Sequence, residues 1–145
     1  MLFRSRDKVS KGFPLLGICL GMQMLFENSN EFCFTEGLNL IKGEVKKIDS
    51  NQIKLPHMGW NKLIPTAHNI YNLNNLNQYF VHSFAVYGAE PKSIIFKCNY
   101  EKENFTVAIK KNNIVGLQFH PERSGRSGMA LLSEIILDLS KESIL

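Results

Sequence analysis

The chain has 145 residues, of which 44% are hydrophobic and 21% charged, with a formal net charge of +4. That length suits one domain with a single core. No run approaches the ~20 apolar residues of a membrane helix, and scattered lysines without interleaved aromatics leave no nucleic-acid footprint. Three cysteines at irregular spacing, with no Cys-x-x-Cys pair, speak against a disulfide framework or a zinc site, and no metal or cofactor is expected.

The segment Met1 to Ser10 is too polar for the apolar middle of a signal peptide, so a cytoplasmic location is expected. The short apolar run Pro14 to Ile18 lacks alternation, as in a strand buried on both faces of a parallel sheet. It feeds into Met22 to Phe26, a good helix former. Five further stretches read as strands: Glu44 to Ile48, Tyr79 to Phe84, Ile94 to Tyr100, Phe105 to Lys110 and Ile114 to Phe119. The asparagine-rich segment Asn69 to Gln78 reads as a polar loop. Alternation in Phe105 to Lys110 predicts one solvated face, and Lys111-Asn112-Asn113 predicts a tight hairpin, since asparagine tolerates positive φ. Met129, Leu132, Ile135, Ile136 and Leu139 form a helical stripe, with Ser127 as its N-cap. Strand, glycine turn, helix, several strands and a last helix is the order of an α/β domain. With no repeats or linkers, residues 1–145 read as one domain.

The local signal with most chemistry is Gly17-Ile18-Cys19-Leu20-Gly21, a Gly-x-nucleophile-x-Gly turn between a buried strand and a helix. Such a turn strains the backbone at the nucleophile and needs small neighbours. It sets the sulfur at a helix N-terminus, where free N–H groups favour thiolate, and aims the N–H of Leu20 at a developing oxyanion. Gln23, one helical turn on, projects from the same face. In Phe119-His120-Pro121-Glu122, an extended segment would put His120 and Glu122 on one face, as a base and the carboxylate that orients it. Cysteine, histidine and carboxylate together are the ingredients of a cysteine acyl-transfer site. His68 reads as a loop residue, Cys33 and Cys98 as packing residues, and Trp60 taken alone as core.

Four motifs in order carry a resemblance: the elbow through Gln23, then His57-Met58-Gly59-Trp60-Asn61, then Tyr79-Phe80-Val81-His82-Ser83, then Gly116 to Glu122. Together they resemble the class I glutamine amidotransferases, and the His57 to Asn61 strip resembles the glutaminase subunits of imidazole glycerol phosphate synthase. The resemblance implies a flavodoxin-like mixed sheet flanked by helices. It implies that Cys19 attacks the carboxamide of glutamine, that His120 shuttles protons and that Glu122 orients His120. It further implies that Leu20, Gln23 and Glu31 (along the elbow helix) meet the glutamine, and that His82 and Ser83 hold its amino-acid end through the backbone. His57, Met58, Trp60 and Asn61 match the strip facing a (β/α)₈ barrel cyclase, the partner that uses the ammonia to make imidazole glycerol phosphate in histidine biosynthesis.

Relative to that family, a first strand, a further βα unit and a glycine-rich loop with a second oxyanion donor are expected to be missing before the elbow. Met1 to Lys11 resemble the end of the helix that enters the elbow strand. Two alternatives stay open: an ammonia-supplying subunit for an enzyme that modifies surface sugars, and a catalytically impaired fragment that acts only as a binding subunit.

Overall fold

The structure, a computed structural model, describes residues 2–49, 51, 53–74 and 76–142. Met1 of the expected helix tail and Asn75 of the expected loop lie outside the described residues.

The chain opens with helix α1 (Leu2–Ser10), followed by strand β1 (Leu15–Ile18) and helix α2 (Leu20–Gln23). Two short strands follow, β2 (Asn28–Ser29) and β3 (Thr35–Glu36), then β4 (Glu44–Lys47), β5 (His57–Pro65), β6 (Asn77–His82) and β7 (Phe84–Tyr87). The last strands are β8 (Ile94–Tyr100), β9 (Glu103–Lys111) and β10 (Ile114–Leu117), and α3 (Gly125–Glu142) closes the fold. β9 is the hub of the sheet. One edge pairs with β8, which leads through β5 to β6; the other edge pairs with β10 at one end and with β7 at the other. β7 leads through β4 and β2 to β3, and β10 pairs in parallel with β1. The mixed sheet with flanking helices agrees with the expected fold class.

Two apolar clusters sandwich this sheet. One packs Leu131, Ile135 and Leu139 of α3 onto Val115, Leu117, Ala108 and Phe96. The other packs Met22, Leu25 and Phe26 of the elbow segment onto Ile109, Ile114 and Val86. β9 is therefore covered on both faces, and the expected solvated face is absent: Ala108 is buried, and Lys110 is held by Asp138 and Glu142 of α3 at 2.8 and 3.1 Å. Alternation failed as a guide because α3 brings carboxylates to meet the polar positions.

Other elements depart from expectation for local reasons. β1 is only partly buried at Leu15, Leu16 and Ile18, because among the described residues it pairs on one edge only, with β10. The elbow helix stops at Gln23. The carbonyls of Met24, Leu25 and Phe26, which a longer helix would use internally, accept instead from Leu38, Leu40, Ile41 and Asn39. Glu31 therefore does not lie on the elbow helix; it follows β2. Ser127 is not the cap of α3, which starts at Gly125; its hydroxyl donates to Asn77 O at 2.8 Å. The buried stripe of α3 is Gly128, Leu131, Ile135 and Leu139, so Met129 and Ile136 face outward. Gly128 sets this register, since a Cβ there would lie 2.0 Å from Pro121 O. The β9–β10 hairpin does turn at Asn112, with φ 50°.

Candidate active site

Cys19 occupies the single residue between β1 and α2. Its N–H continues the parallel ladder one step past β1, donating to Leu117 O at 2.7 Å. Its backbone is at φ 53°, ψ −110°, outside the regions comfortable for a residue with a Cβ. The turn is tight enough that a Cβ on Gly17 would stand 2.5 Å from Gly21 O, so glycine at 17 is a requirement of the close strand–helix approach. The thiol faces Val81 O at 4.0 Å, Gln118 Nε2 stands 3.9 Å from Sγ, and the Leu20 N–H lies near enough to act on the sulfur.

The thiol does not follow the thiolate expectation. Burial raises its pKa above the ordinary 9.0, the Leu20 N–H lowers it, and the carboxylates of Glu122 and Glu31 raise it further. A helix of four residues has too few aligned peptides to reverse that balance.

His120 lies three residues past the end of β10, the strand beside β1, so His120 and Cys19 emerge at the carboxyl ends of neighbouring parallel strands. Its N–H donates to Tyr79 O at 2.9 Å. Its Nδ1 donates to Glu122 Oε1 at 2.6 Å, which directs Nε2 outward as the proton-accepting nitrogen. The expected extended segment is a 3₁₀ turn at Pro121–Arg123, and Glu122 reaches back from within that turn. Among the described residues no hydrogen bond joins Cys19 to His120; apo sites often tighten such contacts only with substrate.

Leu20, Gln23 and Glu31 line one cleft of about 260 Å³, together with Phe32, Thr35 and Gly37. Cys19, His120, His82 and Ser83 are not part of its lining. Gln23 is buried, and its Nε2 donates to Phe84 O at 3.3 Å and Gln118 Oε1 at 3.1 Å. Ser83 forms the break between β6 and β7, and its carbonyl accepts from Ile48 N–H at 3.0 Å. His82 turns inward, with Nδ1 at 2.8 Å from Phe84 O.

The His57 to Asn61 strip is β5, a strand not predicted from sequence, and it divides by face. Met58 and Trp60 are 57% and 59% exposed, whereas His57 is 1% exposed and stacks between Phe80 and Tyr100 at 4.7 and 3.9 Å. His57 is therefore an interior residue and offers no surface to a partner. Asn61 is half-buried and its amide turns inward to His57 Nε2 at 2.9 Å. Burial lowers the His57 pKa to about 3 and that of His82 to about 4, so both rings are neutral.

Gln118 was missed. It is fully buried against the sulfur, yet in the sequence it is one polar residue inside an apolar strand end. A polar residue at a position whose neighbours Leu117 and Phe119 are core was the available sign.

Residues 3–139 match the family described as glutamine amidotransferase class-I. The chain is 45% identical over 130 residues to the imidazole glycerol phosphate synthase subunit HisH of Oceanobacillus iheyensis, covering 88% of this chain and 64% of that protein. It is 41% identical over 133 residues to the subunit of the same name from a Geobacillus species, covering 87% and 63%. The chain thus spans a little under two thirds of these relatives' length. Among solved structures, it superimposes on one titled a glutamine amidotransferase with a TM-score of 0.70 at 15% identity, covering 97% of this chain and 68% of that one. PurLQS from Thermotoga maritima gives 0.66 at 18% identity, covering 95% and 68%.

Proposed function

Because the chain belongs to the class I glutamine amidotransferase family, we propose that it forms a single catalytic domain that hydrolyses glutamine to glutamate and ammonia. The Cys19 thiol gives its proton to His120 Nε2 as Sγ bonds to the carboxamide carbon of glutamine. The oxyanion that forms accepts from the Leu20 N–H. His120 returns the proton to the leaving nitrogen, ammonia departs, and a glutamyl thioester remains. Water, deprotonated by His120, then attacks the thioester, releasing glutamate and restoring the thiol. Glu122 holds the imidazole by its Nδ1 throughout. Gln23 and Glu31 meet the substrate, and the backbone at His82 and Ser83 holds its amino-acid end.

The ammonia passes to a (β/α)₈ barrel cyclase that makes imidazole glycerol phosphate in histidine biosynthesis. The support is the name printed for relatives at 41–45% identity. Met58 and Trp60, two exposed residues of β5, meet that partner. The three cysteines are all free thiols, which suits the reducing cytoplasm. The observation that carries the reaction is Cys19 at φ 53° in the strand–helix turn, one parallel strand away from a His120–Glu122 pair at 2.6 Å.

The test co-expresses the chain with the cyclase and follows glutamate release and cyclase turnover. Cys19→Ser is expected to abolish glutamine-driven turnover and to leave ammonia-driven turnover intact. Glutamate release by the serine variant at a comparable rate would overturn the assignment.

A further inference from the structure

A chain of buried polar groups runs from the surface strand β5 to the sulfur of Cys19, and its polarity is set at one atom. Phe84 O is approached by His82 Nδ1 at 2.8 Å and by Gln23 Nε2 at 3.3 Å. A carbonyl only accepts, so both nitrogens are donors.

On the histidine side, a neutral His82 protonated at Nδ1 has a lone pair at Nε2, which lies 2.9 Å from His57 Nδ1. His57 must then carry its proton on Nδ1 as well, leaving Nε2 to accept from Asn61 Nδ2 at 2.9 Å. No carboxylate is among the groups that shift either ring. On the glutamine side, the Gln23 NH₂ spends one hydrogen on Phe84 O and the other on Gln118 Oε1 at 3.1 Å. That fixes the orientation of Gln118, whose NH₂ must face Cys19 Sγ at 3.9 Å. Turned the other way, Gln118 would oppose NH₂ to NH₂ at Gln23 and set an oxygen against the sulfur.

We infer that Gln118 is a further residue of the reaction, an amide donor held against the nucleophile by a polarity-locked network in which Gln23, His82, His57 and Asn61 are positioning residues. This rests on reading Cys19 as the nucleophile. A donor at the sulfur favours the thiolate over the thiol. It thereby opposes burial and the carboxylates of Glu31 and Glu122, the charged groups that disfavour ionisation there. Burying these side chains costs desolvation that an apolar core would have avoided.

The test uses the whole chain in a Cys33→Ser background, because Cys33 is the exposed thiol. Two measurements are made. Imidazole ¹⁵N NMR should find both His57 and His82 protonated on Nδ1 and unchanged across neutral pH. The rate of Cys19 alkylation by iodoacetamide, mapped by mass spectrometry as a function of pH, should respond to the network. Gln118→Glu should raise the midpoint and slow alkylation at neutral pH roughly tenfold, the equivalent of about one pKa unit. Should that variant not fold, Gln118→Met, similar in size and without a donor, is measured instead with the same expectation. His57→Gln preserves both a donor and an acceptor and should alkylate as the parent does. His57→Phe keeps the stack between Phe80 and Tyr100 but severs the chain, and should be slower. A packing role for His57 predicts the reverse order of these two. An Nε2-protonated ring at His57 or His82, or unchanged alkylation when Gln118 loses its donor, would overturn the inference. Neither measurement uses glutamine, so a failure of hydrolysis strikes the proposed function and leaves this network standing.

Discussion

Cys19 is placed by the backbone. Its N–H is tied to Leu117 O, its φ is forced by the strand–helix turn, and Gly17 admits α2 to close contact. His120 is tied by its backbone N–H to Tyr79 O, but its ring is aimed by a side chain. It follows the end of β10, and its ring direction depends on a carboxylate whose side chain is 46% exposed. Cys19, half-buried and defined by its backbone, thus contrasts with His120, whose ring is oriented by a solvent-facing partner. The nucleophile's geometry should survive loss of its side chain, whereas the base is adjustable and open to substitution and screening.

The largest effect that would break this contrast concerns the base. His120→Ala is expected to lower glutamine hydrolysis ~10²- to 10⁴-fold, the usual cost of losing a general acid–base group. Glu122→Ala should cost less, because water can replace part of an exposed orienting contact. Steady-state glutamate release decides, and equal losses would show that orientation is as rigid on this side as on the other.

The buried side has its own signature in acid. His57 and His82 have an ordinary pKa of 6.5, lowered in the fold to about 3 and about 4. Folded values below unfolded ones mean that their contribution to stability is present above pH 6.5 and is lost as pH falls from there toward about 4 for His82 and about 3 for His57. Unfolding free energy should drop by on the order of 2–4 kcal/mol by pH 5. His57→Gln should flatten the curve; a curve unchanged by that substitution would remove the buried ring as the cause.

The same division cuts through β5. Trp60→Ala should weaken association with the proposed cyclase partner by about 2 kcal/mol and change the unfolding of the chain alone by no more than about 0.5 kcal/mol, as surface changes usually do. Titration by calorimetry and chemical denaturation separate the two. A chain destabilised by this change would mean that the exposed indole also serves the fold.

The smallest effect has opposite signs in two assays. Glu122 raises the Cys19 pKa through charge. Glu122→Gln should therefore shift the midpoint of Cys19 alkylation downward while slowing hydrolysis. A midpoint that stays or rises would mean that the two halves of the site do not feel each other across the gap.

Much of this was open to reading in the chain. The elbow announces itself because only glycine at 17 lets α2 close on β1, although a side chain at Gly21 would meet open space, and His120–Glu122 because the histidine and carboxylate are two residues apart. The strands β8, β9 and β10 follow from short-range pattern. What could not be read depends on distant partners. The end of α2 is decided by residues 38–41 capturing its carbonyls, and no feature of residues 22–26 encodes that. The second face of β9 is decided by Asp138 and Glu142 meeting Lys110. The inward turn of His57 and the place of Gln118 depend on pairing across β5–β6 and β1–β10, contacts that connect residues 25 and about a hundred positions apart.

The strained turn at Cys19 also gives neutral drift a direction. A residue with a Cβ at φ 53°, ψ −110° costs on the order of 1–3 kcal/mol, and glycine would hold that conformation with far less strain. Cysteine and glycine codons differ by one nucleotide. In a lineage no longer selected for hydrolysis, selection for folding alone would favour glycine among the one-step replacements at this position.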